Sequence, residues 1–433
     1  MGVPAVGGAR AGVGERGVYG LFLNPAAARP SGPELLLDAA LFTNRFRFTL
    51  EGEEEVQSGG TSPVPALAVA VPLGPVGLGA SFGAPYARGG APYDEDGPQR
   101  YFTIQGTTRV LELDLAVAGH LATAERDVDP PRLIVDVGAG PRLAFGTQGS
   151  TRAYDTGALL YGLLEGEGDV PLQDPFLEGR LTVPPARDLG LGWTAGARVE
   201  LDQRWVLTGA YRSGVRLDLE GPVSLVPSND LAMELEGTVE TTLHLPPSAS
   251  VGLGKAGHSG AQLSGTWTGW SSLEVVETRV QELAITSEDP LMGEILESYG
   301  LSDAEFLSSL DTIVTRTGMH DTITVDLAGS YTYDGRWSGG AHLARSGAAI
   351  PDTNVHPGNV DFDVWNPGLW LCFQPGPFAL SLGGDVYLAA PREITTSGLA
   401  LTNEAASGMV YPSGNGRYEL LAARVGLTAV YRP

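Results

Sequence analysis

Arginine supplies nearly all of the positive charge in this sequence and is the residue type best suited to bind an anionic ligand group. Four arginines lie in segments where polar and apolar residues alternate: Arg142, Arg198, Arg212 and Arg216. Each guanidinium could hold a ligand carboxylate through paired hydrogen bonds. Acidic residues at similar positions offer the alternative of internal ion pairs, which would neutralise the arginines: Asp136, Glu200 and Asp218.

Other residues that could support catalysis or metal binding are scarce. The only cysteine, Cys372, excludes an internal disulfide framework, and the six histidines show no zinc-binding spacing. We find no convincing nucleophile with a base and no phosphate-binding loop. The net charge of −24 argues against a nucleic-acid partner, because phosphate binding needs basic patches. We therefore expect no enzyme, no metal and no cofactor.

The arginines belong to segments with a period of two, which is the period of a β-strand. In the stretch RVLELDLAVAGHL (109–121), odd positions carry Leu113, Leu115 and Val117, while even positions carry Glu112 and Asp114. The same alternation recurs in six later segments: 133–146, 189–201, 205–219, 323–331, 378–388 and 421–431.

Fourteen segments are candidate strands, and most are longer than the five or six residues usual in soluble proteins. They are 34–50, 65–73, 77–86, 109–122, 133–147, 188–201, 205–220, 238–254, 260–276, 321–333, 336–347, 360–374, 377–390 and 418–431. Their connections alternate between short and long. This segregation is typical of an even-stranded outer-membrane barrel, and a soluble β-sandwich, the alternative, gives no reason for it.

The sequence thus predicts an all-β protein, a 14-stranded antiparallel transmembrane β-barrel. The leucines of 109–121 would face lipid, while Glu112, Asp114 and His120 would face a wet lumen, because carboxylates are costly in hydrocarbon. The chain starts without a secretory signal, and we expect that an exported protein has lost it.

Two regions lie outside this alternating pattern. Residues 1–33 are rich in Gly and Ala and would form a frayed tail or a plug inside the lumen, before a barrel spanning 34–433. The long connection of about 277–320 carries helix signals, with Pro290 at one start and a Ser302–Glu305 capping box at another. We expect two short helices over the mouth.

Several stretches, in the right order along the chain, resemble the FadL-type (OmpP1/FadL/TodX-like) outer-membrane transporters. GARAGVGERGVYGLFLNPAAA (8–28) is similar to the family's N-terminal hatch, and VGLGASFGAPYARGG (76–90) to its third strand. LHLPPSASVGLG (243–254) followed by WTGWSSLEVVE (267–277), and the late segment 331–373, extend the resemblance over most of the chain.

The resemblance implies a hatch at 1–33 and passive uptake of long-chain fatty acids or other hydrophobic molecules across the outer membrane of a Gram-negative bacterium. The ligand would leave sideways through a gap at a kink in the third strand. Six residues would form this gate: Asn24, Pro25, Ala26, Phe82, Gly83 and Ala84. Gly83 and Pro85 agree with this, because both weaken strand pairing.

Ligand contacts and partners follow from the same resemblance. Candidates to bind a fatty acid carboxylate are Arg142, Arg198, Arg212 and, in the hatch, Arg10 and Arg16. Candidates for the first capture outside lie in the apolar stretch 158–168: Leu159, Leu160, Tyr161, Leu163 and Leu164. We expect a monomer surrounded by outer-membrane lipid or lipopolysaccharide. The alternatives are a general porin and a structural or adhesive surface barrel.

Overall fold

The protein is almost entirely β-structure. The computed structural model describes residues 16–88, 92–124, 133–155, 178–202, 204–227, 234–255, 259–287, 312–397 and 414–433, with single residues 157, 297, 302 and 307. Its strands join in one sheet, and their bounds are β1 Glu34–Leu50, β2 Val56–Leu73, β3 Val76–Arg88, β4 Gln105–Ala124, β5 Leu133–Asp155, β6 Glu178–Leu201, β7 Trp205–Arg212, β8 Val215–Pro227, β9 Glu234–Leu245, β10 Ser248–Lys255, β11 Ser259–Thr268, β12 Val275–Ser287, β13 Thr312–Arg316, β14 Thr322–Thr332, β15 Trp337–Ser346, β16 Val364–Phe373, β17 Phe378–Ala389, β18 Arg392–Ile394 and β19 Gly416–Tyr431.

The sheet closes on itself as an antiparallel barrel. β1 pairs with β19 over its whole length, from Leu35↔Tyr431 to Leu50↔Gly416. Four neighbouring barrel strands are each broken once, giving the collinear pairs β7/β8, β9/β10, β11/β12 and β13/β14. If each broken strand is counted once and the short β18 is left out, the wall has 14 strands, as predicted from the sequence.

The predicted division between lipid-facing and lumen-facing side chains is confirmed along β4. Val117 and Leu121 are 54% and 66% exposed, whereas Glu112 and Asp114 are buried inside. Exposed aromatic side chains cluster near strand ends, where Trp337 contacts Phe373 and Phe378 contacts Tyr431. Such rings are typical of the interfaces of a membrane barrel. No helix among the described residues is long and apolar enough to cross a membrane.

The barrel has a short-turn end and a long-connection end. At the short-turn end, Gly74 and Pro75 join β2 to β3, and residues 333–336 join β14 to β15. There Asp334 accepts hydrogen bonds from the backbone N–H groups of Arg336 and Trp337, which lower the pKa of its carboxyl. The chain enters β1 and leaves β19 at this same end.

Three of the four breaks correct the predicted continuous strands 205–220, 238–254 and 260–276. Ser213 and Gly214 separate β7 from β8, and Pro246 and Pro247 separate β9 from β10. At Ser213 the alternation changes phase: odd-numbered side chains such as Leu207 point outward in β7, whereas odd-numbered side chains point inward in β8. The odd residues of β8, Val215, Leu217 and Leu219, were expected to face lipid, but they are buried. The even residue Arg216 is correspondingly exposed, not inside the lumen, and pairs with Asp218.

The predicted helical insertion at about 277–320 is strand at both ends. β12 covers Val275–Ser287 and β13 covers Thr312–Arg316, and the two pair with each other. Apart from 297, 302 and 307, residues 288–311 lie outside the described residues, and the expected helices fall there.

Candidate functional site

The ladder between β2 and β3 stops partway up the wall. Pairing ends at Leu67↔Phe82, so the described ladders join β3 residues 83–88 only to β4. On the other side, β2 residues 56–66 pair only with β1. The predicted gate residues Phe82, Gly83 and Ala84 therefore lie where the two strands part.

A β-bulge in β3 begins at the same point. Gly83 pairs with Glu112 and Tyr86 with Val110, so two residues of β3, Ala84 and Pro85, face one residue of β4. A bulge bends its strand and increases the local twist. Tyr86 consequently packs against apolar residues inside the barrel, and its ring lies 6.1 Å from that of Trp270.

The edges of this gap are rich in proline. Pro63 and Pro65 of β2 are two residues apart, so their backbone nitrogens point to the same edge of the strand. Pro85 lies on the β3 side of the gap. The ladder from β2 to β1 runs through both prolines without a register shift, so the missing N–H groups fall on the open edge. Because an unpaired N–H costs several kcal/mol in hydrocarbon, prolines suit an edge that stays unpaired there.

Residues 16–33, which we call the hatch segment, are packed against the inner wall near the short-turn end. The segment contains the helix α1 (Val18–Leu21) and a 3-10 helix at Pro25–Ala28, and both are buried. Glu34 accepts a hydrogen bond from the N–H of Val18 at the start of α1. The segment packs against inward alanines of β2 and β4 and against Trp370 and Cys372.

The Asn-Pro-Ala element contacts the wall on β5, β6 and β7. The Asn24 side-chain amide donates to the carbonyls of Ala197 and Gly209, at 3.1 and 3.4 Å, and its oxygen accepts from the N–H of Ala26. A Cβ on Gly138 would lie 2.5 Å from the Pro25 carbonyl oxygen, so this glycine permits the close approach. The hatch segment meets β3 through Leu21 and Ala28, near Gly77 and Gly79, which precede the gap.

Ion pairs also attach the hatch segment to β5. Arg16 and Arg29 both reach the buried carboxylate of Asp136, at 2.8 and 3.4 Å. Arg198 pairs with Glu200 at 2.9 Å and lies 4.0 Å from Asp136. The carboxylate of Asp136 is thus the common anion that holds two hatch arginines against the wall.

We expect Asp136→Asn to loosen the hatch segment. The change leaves Arg29 without an anion and Arg16 with only Glu200, at 3.6 Å, and breaking a buried ion pair costs about 3–5 kcal/mol. Ion conductance across a planar bilayer should rise relative to the wild type. Asp326→Asn is the matched control, because Asp326 pairs with His342 on another part of the wall. Equal conductance in all three proteins would contradict the role given to Asp136.

A charged layer of four residues lines the inner face of β4, β5 and β7 above the hatch segment: Glu112, Asp114, Arg142 and Arg212. Glu112 bridges both arginines, and Arg212 also binds Asp114 at 2.8 Å. Arg142 donates a further hydrogen bond to the carbonyl of Ser213 at 2.7 Å, at the break between β7 and β8. The layer has equal numbers of both charges.

The predicted carboxylate-binding arginines are therefore engaged in the protein's own ion pairs. Arg142 and Arg212 bind Glu112 and Asp114, and Arg198 binds Glu200. Arg10 lies outside the described residues, as does the predicted capture patch, namely Leu159, Leu160, Tyr161, Leu163 and Leu164.

Sequence reasoning missed two features of the gap. Pro63 and Pro65 do not disturb the alternation of polar and apolar residues in β2. The sequence shows them only as two positions without a backbone N–H on the same edge of the strand. The inward turn of Tyr86 depends on the bulge, which a count of alternating residues does not reveal.

Residues 79–83 formally match the Gly-x-Ser-x-Gly motif of hydrolases but lie within β3, not at a strand-to-helix turn. Among described residues, no three potential metal ligands cluster.

Comparison with known proteins supplies the family. Residues 135–362 match the model of the outer membrane protein transport protein family (OMPP1/FadL/TodX). The chain belongs to the OMPP1/FadL/TodX family. No curated protein sequence matches it.

Solved structures of low sequence identity share the family's fold with this chain. A FadL homologue of Pseudomonas aeruginosa is 16% identical with a TM-score of 0.79, covering 100% of this chain and 98% of that one. The toluene transporter TodX of Pseudomonas putida is 14% identical with a TM-score of 0.67, covering 100% and 99%. The toluene transporter TbuX of Ralstonia pickettii is 14% identical with a TM-score of 0.63, covering 100% and 98%. The barrel is thus the OMPP1/FadL/TodX fold over its full length.

Proposed function

We propose that this protein carries hydrophobic molecules passively across the outer membrane of a Gram-negative bacterium and releases them sideways through the gap between β2 and β3. The observation that carries the proposal is the gap itself, where the ladder stops, β3 bulges and both edges contain proline. The long-connection end would face the exterior and the short-turn end the periplasm.

Lateral release has a simple physical reason. An apolar molecule gains about 0.8 kcal/mol for each CH₂ group that it removes from water. A route into the aqueous periplasm would forfeit this free energy, whereas a side opening into the bilayer keeps it. Transport then needs only a concentration gradient.

The charges of the lumen favour uncharged cargo. The described candidate arginines inside the barrel, Arg16 included, are bound to carboxylates, so a fatty acid would have to displace an internal partner. A hydrocarbon would not. Two structural relatives are described as toluene transporters, which agrees with a preference for neutral hydrocarbons over long-chain fatty acids.

The remaining parts of the chain fit this proposal. The hatch, residues 1–33, would close the lumen of the barrel, residues 34–433, and the stretch 158–168 would capture ligand outside. Since β1 and β19 pair with each other, the first and last strands leave no free edge for a second copy, and Pro63 and Pro65 remove donors from the open edge of β2, which supports a monomer. The exposed leucines would contact outer-membrane lipid or lipopolysaccharide.

Uptake measurements test the proposal. Cells that make the protein should accumulate radiolabelled toluene faster than cells with an empty vector, and oleate to a smaller extent. Purified protein in a planar bilayer should conduct ions poorly, because the hatch would close the lumen. Steady ion conductance without toluene uptake would instead indicate a porin. Absence of both conductance and uptake would favour a structural or adhesive barrel.

A further inference from the structure

Lipid-facing side chains of β4 form an apolar band that ends toward the long-connection end. Every outward position of residues 111–121 carries a leucine, a valine or a glycine. This stretch matches the length of about 9–11 residues that a tilted strand needs to cross a membrane. The next outward position is Arg109, whose side chain is exposed. Arg109 therefore lies where the hydrocarbon ends and the lipid headgroups begin.

β5 and β6 change from apolar to polar in the same row of the sheet. The last apolar row contains Leu111, Phe145 and Leu189, which pair in that order. The next row, which we call the basic row, contains Arg109, Thr147 and Arg187, which also pair in that order. Because residues two apart on a strand point to one face, the basic row faces outward like the exposed Phe145 and Leu189. Two arginines thus share one outer surface.

The arginines of the basic row differ from other exposed arginines of the barrel. Arg216 pairs with Asp218 at 2.8 Å. Arg345 likewise pairs with Asp363 at 3.3 Å. Among the described residues, no carboxylate forms an ion pair with either arginine of the basic row. In a protein with a net charge of −24, this surface therefore keeps two positive charges that the chain itself does not neutralise.

Two guanidinium groups at this spacing suit a phosphorylated ligand. Neighbouring strands lie about 4.8 Å apart, so the backbones at Arg109 and Arg187 are about 10 Å apart. Each guanidinium can donate two parallel N–H groups to phosphate oxygens. The Thr147 hydroxyl supplies a further donor between them. The basic row can therefore hold one phosphorylated headgroup from both sides.

The position of the basic row favours a lipid over a soluble anion. Acyl chains would lie along the exposed Phe145, Leu189 and Leu191, while the headgroup would meet the arginines. With the long-connection end outside, these residues face the outer leaflet of the outer membrane, which consists of lipopolysaccharide. Its lipid A part carries phosphates directly beside acyl chains. Basic side chains at a membrane surface recognise such anionic headgroups.

We propose that the basic row is a binding site for a lipid A phosphate of lipopolysaccharide, whose acyl chains lie on the apolar row beside it. The inference rests on the membrane orientation given with the proposed function, and it does not depend on transport. The two guanidinium groups supply the positive charge that divalent cations otherwise bring to these phosphates. Lipid A should therefore stay bound to the protein in the presence of EDTA.

Binding of purified lipid A tests the site. Protein refolded in detergent from inclusion bodies is titrated with bisphosphorylated lipid A in EDTA, and native mass spectrometry measures the bound fraction. Arg109→Gln with Arg187→Gln should weaken binding by about tenfold or more, because charge-assisted hydrogen bonds are lost. Dephosphorylated lipid A should bind the wild type as weakly as lipid A binds this variant. Excess inorganic phosphate should not displace lipid A, because it lacks the acyl chains.

Two further variants serve as a control and as a second test. Arg216→Gln with Arg345→Gln also removes two exposed positive charges, but both already have carboxylate partners, so this variant should bind lipid A like the wild type. Thr147→Glu keeps both arginines of the basic row and places a carboxylate between them. It should lose lipid A binding as the Arg109→Gln, Arg187→Gln variant does. Heat-modifiable mobility on gels reports whether each barrel has folded.

Equal affinity of the basic-row variants and the control for lipid A would overturn the inference. Tight binding of dephosphorylated lipid A would also overturn it, and displacement by inorganic phosphate would indicate a site for free anions instead. Toluene uptake by cells, measured separately, distinguishes the two proposals. Lipid A binding without uptake would refute transport alone, and uptake without lipid A binding would refute this inference alone.

Discussion

Deleting Ala84 and replacing Pro85 with Val should reduce toluene uptake to the level of cells without the protein. The change removes the bulge opposite Leu111 and restores an N–H donor, so β3 can pair with β4 without a register shift. A straightened β3 would run alongside β2 beyond Phe82 and close the gap sterically, even though Pro63 and Pro65 of β2 supply no donors for a full ladder. Uptake of radiolabelled toluene, with surface expression measured in parallel, checks the result.

The matched control is another bulge in the same wall. β4 carries one extra residue between His120 and Ala122, near the short-turn end. Deletion of Leu121 removes that bulge far from the gap and should leave uptake near the wild-type value. If both deletions lowered uptake equally, the loss would reflect general damage to the barrel. Normal uptake after closing the β3 bulge would exclude the lateral route.

Arg142→Met should be the most destabilising single substitution in the lumen. It leaves Glu112 buried with one partner fewer and removes the donor to the Ser213 carbonyl. Truncating one member of a buried ion pair costs about 3–5 kcal/mol. The free energy of unfolding in lipid vesicles, measured by urea titration with tryptophan fluorescence, should fall by about that amount.

A double variant separates the charge effect from the loss of packing. Arg142→Met with Glu112→Gln leaves Arg212 and Asp114 as a balanced pair at 2.8 Å. Neutralising both partners removes the uncompensated charge, so the double variant should be more stable than Arg142→Met alone. If the double variant lost as much stability as the two single changes added together, Glu112 and Arg142 would not be coupled.

The wall of the barrel could be predicted from the sequence because its cause is local. Each strand alternates between lipid and lumen, and β4 shows this from Val110 to His120. The number of strands followed from the same alternation. The hatch residues and the bulge at Gly83 could be located only through resemblance to a family, because neither carries a periodic signal.

The interior could not be predicted because it depends on contacts between distant segments. The partners of Arg142 and Arg212 lie on β4, and no local pattern links them to those positions. The exchange of parity at Ser213 reversed the expected orientation of Val215, Leu217 and Leu219. A break of one or two residues leaves the alternation on each side intact, so a sequence pattern cannot show that the two halves are out of phase.

The prolines at the gap bear on how such a barrel remains separate from its neighbours. An opening in a β-wall exposes two strand edges, and free edges promote aggregation by pairing with strands of other chains. Pro63 and Pro65 remove the donors that such pairing would use. Replacing them with valine would therefore be expected to favour edge-to-edge oligomers in a crowded outer membrane. The same two residues that leave this edge of β2 without donors thus also protect the fold from unwanted association.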